Sequence, residues 1–397
     1  MKSNEKHIDP AEVRLDRFAG DVFNGREDNL GYPMNQKSAL IGFYRWFGGS
    51  GLNLAMVNNC GDPFDATGHQ LKLNTIAFER EVIQMLGPRY GFDPDDLWGI
   101  ITFSGTDGNN HGIYFGVNYI RKKTGEKPVL YVSDSAHYSS RRLGDLQGLE
   151  IRLVPSDVHG CMIPEELDKA IVPDKPALVV YAIGTTFKGG IDDMKALNAV
   201  FDKYPNMTVY RHIDAALFGG YLPYIECNDI LDRRVNPYDS IAVSGHKFFG
   251  MDEPAGFFIS TMDVRNNQDP YEVTYLNASM PMISCSRSAM SPLKFWWILQ
   301  HTSIEDFKKQ TETMLENAAW LKEELVKMGW DAWLEPMSNT VYFRQPPAEV
   351  VKKYDLAPDH DERLGGDLCH IVVMQHASKI VLQRFLDDVR SACTLDR

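Results

Sequence analysis

Val209-Tyr210-Arg211-His212-Ile213-Asp214-Ala215-Ala216 and, further on, Ser240-Ile241-Ala242-Val243-Ser244-Gly245-His246-Lys247 are the stretches whose reading decides the fold. Each begins as a short apolar run and ends in polar side chains. The same grammar recurs upstream. Leu178-Val179-Val180-Tyr181-Ala182-Ile183 ends in Gly184-Thr185-Thr186, and Val129-Leu130-Tyr131-Val132 ends in Ser133-Asp134-Ser135-Ala136-His137. Trp98-Gly99-Ile100-Ile101-Thr102-Phe103 ends in Ser104-Gly105-Thr106-Asp107-Gly108. Stretches with apolar residues three and four apart flank or separate these runs: Leu73 to Leu86, Asn109 to Arg121, Tyr138 to Gln147, Pro164 to Ile171 and Met194 to Tyr204. Strands alternating with helices of that length pair in parallel through crossover units. Residues 63–288 are therefore expected to form a large α/β domain with a mostly parallel sheet.

Outside that span the texture changes. Residues 1–62 read as a polar, glycine-broken arm with one short helical piece, Ala39 to Phe47. Residues 289–397 read as a smaller α+β domain. There Ser303-Ile304-Glu305-Asp306 caps a long helix to about Met328, Trp333 to Phe343 and Cys369 to Met374 read as strands, and Ile380 to Ala392 is a final helix.

Composition narrows the classes. The 397 residues carry 41 Lys+Arg against 54 Asp+Glu, a formal charge of −13, which repels phosphate backbones and predicts no nucleic-acid partner. No apolar stretch approaches the roughly 18–20 residues of a membrane span. The start, Met1 to His7, lacks the apolar segment of a secretory signal. Six cysteines are scattered without a C-x-x-C pair, which argues against zinc or a disulfide framework. The expectation is a cytoplasmic, metal-free enzyme.

In open α/β sheets, ligands bind beyond the carboxyl ends of the strands, so the polar endings point to one shared site. Gly105-Thr106-Asp107-Gly108 precedes a helix, whose free N–H groups suit a phosphate, although glycine turns before helices are common. Lys247 lies among apolar residues, where a lowered pKa would suit a Schiff base; a lysine stem snorkelling at a strand end reads the same way. Asp214 suits a buried cation such as a protonated pyridine nitrogen, or equally a helix N-cap, and Ala215 and Ala216 leave room for a flat ring. His137 suits ring stacking or proton transfer, or plain hydrogen bonding. Together these are the requirements of pyridoxal phosphate.

Ser244-Gly245-His246-Lys247, His212-Ile213-Asp214-Ala215-Ala216, Gly184-Thr185-Thr186 with Ile191-Asp192-Asp193, and Asp134-Ser135-Ala136-His137-Tyr138-Ser139 resemble the pyridoxal-phosphate-dependent group II amino-acid decarboxylases. The branch of bacterial histidine decarboxylases and plant serine decarboxylases is the most similar, and the likeness runs from Leu30-Gly31-Tyr32-Pro33 to the C-terminal helix. The resemblance implies a fold type I homodimer with active sites at the subunit interface, an imine at Lys247, and ring stacking with substrate contact by His137. It also implies that Asp214 pairs with the pyridine nitrogen and that Ala216 lies against the ring. Gly105, Thr106, Ser244 and His246 would hold the phosphate with Thr186 nearby, and Ser286 would reach the phosphate of the neighbouring subunit. The implied reaction is α-decarboxylation of an L-amino acid. An aminotransferase, an oxidative deaminase and a non-catalytic relative are the competing readings. The chain departs from the family pattern at Met251-Asp252-Glu253-Pro254, at Ser279-Met280-Pro281-Met282, and at Cys285 and Ala289. The first two departures lie where substrate or partner is expected, which opens the side-chain preference to apolar or aromatic substrates.

Overall fold

The computed structural model describes residues 9–65, 71–274 and 278–395. A short strand, β1 (Asn58–Cys60), precedes the main sheet. The sheet's members in chain order are β2 (Leu97–Thr102), β3 (Val129–Ser133), β4 (Glu150–Val154), β5 (Ala177–Ala182), β6 (Val209–Asp214), β7 (Ser240–Ser244) and β8 (Gly256–Thr261). Their spatial order is β2-β8-β7-β6-β5-β3-β4. Pairings from β7 across to β4 are parallel, and β8 runs antiparallel to both its neighbours. Five of the seven strands coincide with the apolar runs, because a strand covered on both faces is apolar at most of its positions. The alternation is visible in β3: Val129 and Tyr131 enter the core on one face, Leu130 and Val132 the core on the other.

Two strands escaped the sequence reading. β4 lies at the sheet edge and spells Glu150-Ile151-Arg152-Leu153-Val154, a charged pattern that suits an edge and hides the run. β8 follows β7 without an intervening crossover helix, so the alternation that marks the other strands is missing there.

The helix Gly105–Thr124 lies unusually close to β6 and β7. A Cβ on Gly108 would sit 2.8 Å from Ala242 Cβ, one on Gly112 would sit 2.2 Å from His212 Cε1, and one on Gly116 would sit 2.7 Å from the Tyr210 ring. Three glycines four residues apart thus remove the side chains that would hold the helix off the sheet.

Downstream, β9 (Tyr271–Val273) and β10 (Ala278–Met280) form a hairpin, and β11 (Ser286–Ser288) pairs antiparallel with β1. A second, antiparallel sheet contains β12 (Ala332–Leu334), β13 (Thr340–Arg344), β14 (Ala357–Asp361) and β15 (Gly366–Val372) in the order β12-β13-β15-β14. The expected single strand from Trp333 to Phe343 is in fact the pair β12 and β13, joined by a turn in which Met337 is left-handed (φ 57°). The helix Ile304–Lys327 begins with the anticipated capping box between Ser303 and Asp306. Together with Lys379–Leu395 it covers this sheet, and Leu321, Leu325, Phe343, Ile371 and Phe385 share one core with Leu30 from the N-terminal segment. Met290–His301 follows residue 289 in the chain but buries Leu293, Phe295 and Ile298 in the core of the main sheet.

The N-terminal arm holds more order than its composition suggested. Asp9 accepts the Ala11 N–H (2.8 Å) and starts a helix, Pro10–Gly25, with proline in its first turn. None of its side chains is buried, and Leu15, Phe18 and Val22 are 65%, 66% and 54% exposed. No helix among the described residues is long and apolar enough to cross a membrane.

Candidate active site

A cavity of about 530 Å³ opens at the carboxyl ends of β5, β6 and β7. Lys247, Asp214, His137 and Ala216 are in its wall. Gly105, Thr106, Ser244, His246 and Thr186 are in the same wall. Nine of the ten residues singled out in the sequence therefore converge. The tenth, Ser286, is exposed on β11, where its hydroxyl accepts a hydrogen bond from Asn58 Nδ2 (3.0 Å), and it does not line this cavity.

The helix Gly105–Thr124 presents its first turn to the cavity, and Ser104 caps it by accepting the Asp107 N–H (3.2 Å). A Cβ on Gly105 would lie 2.4 Å from Ser244 Oγ and 3.4 Å from Ala216 Cβ, so glycine is what lets the helix start, the end of β7 and the second residue after β6 meet. Asp214 is not an N-cap, because the next helix, Phe218–Tyr221, has Leu217 in that position. Its Oδ1 accepts the Ala216 N–H (3.2 Å) and its Oδ2 accepts a hydrogen bond from Asn109 Nδ2 (2.8 Å).

Lys247 has no hydrogen-bond or ion-pair partner for its ammonium among the described residues. Burial pushes its pKa below the ordinary lysine value, partly offset by the charge of Asp214. Burial likewise lowers the pKa of His137, with Asp214 opposing the effect and Lys247 adding to it. His137 caps the helix Tyr138–Leu146: its Nδ1 accepts the Ser139 N–H (3.4 Å), with Ser139 Oγ at 2.7 Å. That bond leaves Nε2 as the protonated nitrogen of the neutral ring. His246, also lowered by burial, has Nδ1 3.1 Å from the Ala255 carbonyl oxygen.

The opposite wall comes from Tyr32 and Pro33, from Phe187, and from Ala357, Pro358 and Asp359 of β14. His370 ties these segments together, with Nδ1 2.7 Å from the Phe187 carbonyl oxygen and Nε2 2.9 Å from that of Gly31. The Phe187 ring stacks on it with centroids 4.7 Å apart. Of the segments that depart from the family pattern, only Pro254 reaches the cavity. Asp252 and Glu253 pair with Lys294 at 2.9 and 3.2 Å, and Met280 and Met282 are buried beside Phe115 and Phe258.

Comparison with known proteins agrees with the geometry. The family model described as the pyridoxal-dependent decarboxylase conserved domain matches residues 116–344. A histidine decarboxylase from Morganella morganii is 30% identical over 385 residues, covering 95% of each chain. Serine decarboxylase 1 from Oryza sativa subsp. japonica is 30% identical over 394 residues, 98% of this chain and 77% of the relative. The chain belongs to the pyridoxal-dependent decarboxylases. The L-methionine decarboxylase of Streptomyces sp.590 has the same fold, with a TM-score of 0.84 at 22% identity over 97% of this chain and 96% of that one. The enzyme is thus a carboxy-lyase acting on an amino acid, and its cofactor is pyridoxal 5'-phosphate. The residues fit that cofactor: an unpaired lysine amine, a carboxylate, a small-residue floor at Ala216 and a helix start within one cavity.

Sequence reading passed over Asn109 and His212 as functional residues, although it quoted both. His212 falls in the strand that delivers Asp214, and Asn109 lies one turn into the helix behind it. The signal that could have found Asn109 is its place directly after the Gly105-to-Gly108 helix start, and that for His212 is its place two residues before Asp214 on the same strand, which puts both side chains on one face.

Proposed function

We propose that the nine cavity residues divide the work of α-decarboxylation of an L-amino acid to the amine and CO2. Pyridoxal 5'-phosphate, when bound, supplies an aldehyde for attachment and an electron-withdrawing ring that accepts the charge left by CO2. Lys247 is the attachment amine, and burial favours its neutral, nucleophilic form. Asp214 holds the proton on the pyridine nitrogen, Ala216 lies against one face of the ring, and His137 stacks on the other and meets the substrate. Gly105, Thr106, Ser244 and His246 hold the phosphate at the helix start, with Thr186 beside them. The observation that carries this reading is the meeting of Lys247, Asp214 and His137 with a helix N-terminus in one cavity.

The substrate side chain is assigned to the far wall. Pro33, Phe187 and Pro358 favour an apolar or aromatic group there, and the nearby Asp359 carboxylate can accept a hydrogen bond from an imidazole. Incubation with each of the twenty amino acids, with amines read by mass spectrometry and CO2 trapped, tests the assignment. Amine and CO2 in equal amounts from one or a few substrates is expected. A keto acid, peroxide or ammonia without CO2 would overturn it.

The enzyme is further proposed to be a cytoplasmic homodimer whose Ser286 reaches the partner's phosphate. The scattered cysteines and the exposed apolar stripe Leu15, Phe18 and Val22 support this, a second copy being the cover for the stripe. Light scattering should give twice the chain mass, and a monomer that stays fully active on dilution would count against it.

A further inference from the structure

Behind Asp214 runs a file of buried polar groups that ends on its carboxylate. Asn109 Nδ2 donates to Asp214 Oδ2 (2.8 Å), and Asn109 Oδ1 lies 3.0 Å from His212 Nε2. His212 Nδ1 lies 2.8 Å from Ser240 Oγ, and the Tyr210 hydroxyl donates to Ser240 Oγ (2.9 Å). Asn109 is 2% exposed, and His212, Ser240 and Tyr210 are fully buried, so water does not complete these bonds. The direction of the file follows from its two ends. Asn109 must turn its amide N–H₂ to Asp214, since its carbonyl oxygen would repel the carboxylate. Its oxygen then faces His212 and requires the proton on Nε2. A neutral ring with Nε2–H must accept at Nδ1, so Ser240 donates there and itself accepts from Tyr210. Burial holds the His212 pKa down at about 3, so the ring is neutral and one of its two nitrogens accepts.

We propose that Asn109 and His212 are positioning residues for Asp214: a one-way file of four hydrogen bonds, Tyr210 to Ser240 to His212 to Asn109 to Asp214, orients the carboxylate and stabilises its charge. Aligned donors polarise one another, so the last bond is stronger than an isolated amide would make it. The fold supplies the room for this. His212 sits opposite Ser240 in the parallel pairing of β6 and β7, and Gly112 leaves the space that the imidazole fills. Asp214 lies between Ala182 and Ala242 on the flanking strands, so the charged and titratable groups facing it are Lys247 and His137 from the cavity side. The proposal rests on the reading that Asp214 pairs with the pyridine nitrogen.

The test titrates cofactor-free protein with pyridoxal 5'-phosphate and follows the pH midpoint of the visible band of the bound cofactor. His212→Phe and Asn109→Leu should each weaken binding by about tenfold or more, the equivalent of a lost hydrogen bond to a charged group. Both should also move the band's pH midpoint. His212→Gln, which keeps a donor toward Asn109, should recover most of both. If His212→Phe does not fold, Ser240→Ala tests the same file one link further out, with a smaller shift in the same direction. Lower melting temperatures with unchanged affinity and midpoint in Asn109→Leu and in His212→Phe or Ser240→Ala would overturn the file. Asp214→Ala separates the two readings. If it alters both readouts while the other variants alter neither, only the file falls. If it alters neither, the pyridine pairing falls and the file with it.

Discussion

Against the main sheet, three of the side chains that close the cavity are held from behind. Asp214 is held by Asn109, His137 by its own helix start and His246 by the Ala255 carbonyl. Across the cavity, the wall comes from three separate segments whose residues Tyr32, Pro358 and Asp359 are exposed, joined through His370. On the first wall hydrogen bonds fix the orientation of Asp214, His137 and His246 around a Lys247 amine without a partner among the described residues, whereas the second is tied mainly through backbone carbonyls and leaves its exposed side chains open to substitution. Chemistry common to a family belongs on the rigid wall, and substrate choice belongs on the adaptable one.

Substitutions on the two walls should therefore differ in size and in kind. On the sheet wall, Asp214→Ala should lower kcat by about 10²–10⁴-fold, the range for a positioned proton-holding group, whichever amino acid is tested. A loss confined to one substrate in steady-state kinetics would move Asp214 to the other wall. Gly112→Ala pushes a methyl into the His212 ring, where the nearest atom is at 2.2 Å, and should destabilise the fold by about 1–3 kcal/mol in denaturant titration. No change there would mean that the helix sits further from β6 than described.

The buried imidazole adds a pH signature to that wall. The unfolded His212 ring takes up a proton below its ordinary 6.5, whereas the folded one resists protonation down to about 3. Its contribution is present above pH 6.5 and is lost as the pH falls toward 3. The stability gap between the parent and His212→Phe should thus narrow by about 1.4 kcal/mol per pH unit between pH 6 and 4. Parallel stability curves across that range would mean that the ring is already charged. The smallest effect is expected on the far wall. Phe187→Ala should change the ratio of kcat/KM between two substrates by about tenfold, the scale of a hydrophobic pocket contact, with the cofactor band unchanged. A lost band would show that this wall also holds the cofactor.

The legibility of each part in the sequence follows from the same physics. Parallel strands covered on both faces write themselves as apolar runs, so β2, β3, β5, β6 and β7 could be read and their polar endings collected. The edge strand β4 is charged, and β8 breaks the alternation, so neither stood out. The helix Pro10–Gly25 was hidden because it buries none of its side chains against the chain that carries it. Asn109 and His212 were visible as residues but not as partners, since 103 positions separate them and no local period connects them.

The sequence alone determined the kind of chemistry, because Lys247, Asp214 and His137 stand at strand ends and a parallel sheet aligns those ends wherever its strands pair. Only the tertiary structure decided how Asp214 is held and which segments face it across the cavity. Those facts depend on how closely a glycine-faced helix settles on two strands and on contacts between distant parts of the chain, distances that no local pattern of residues encodes.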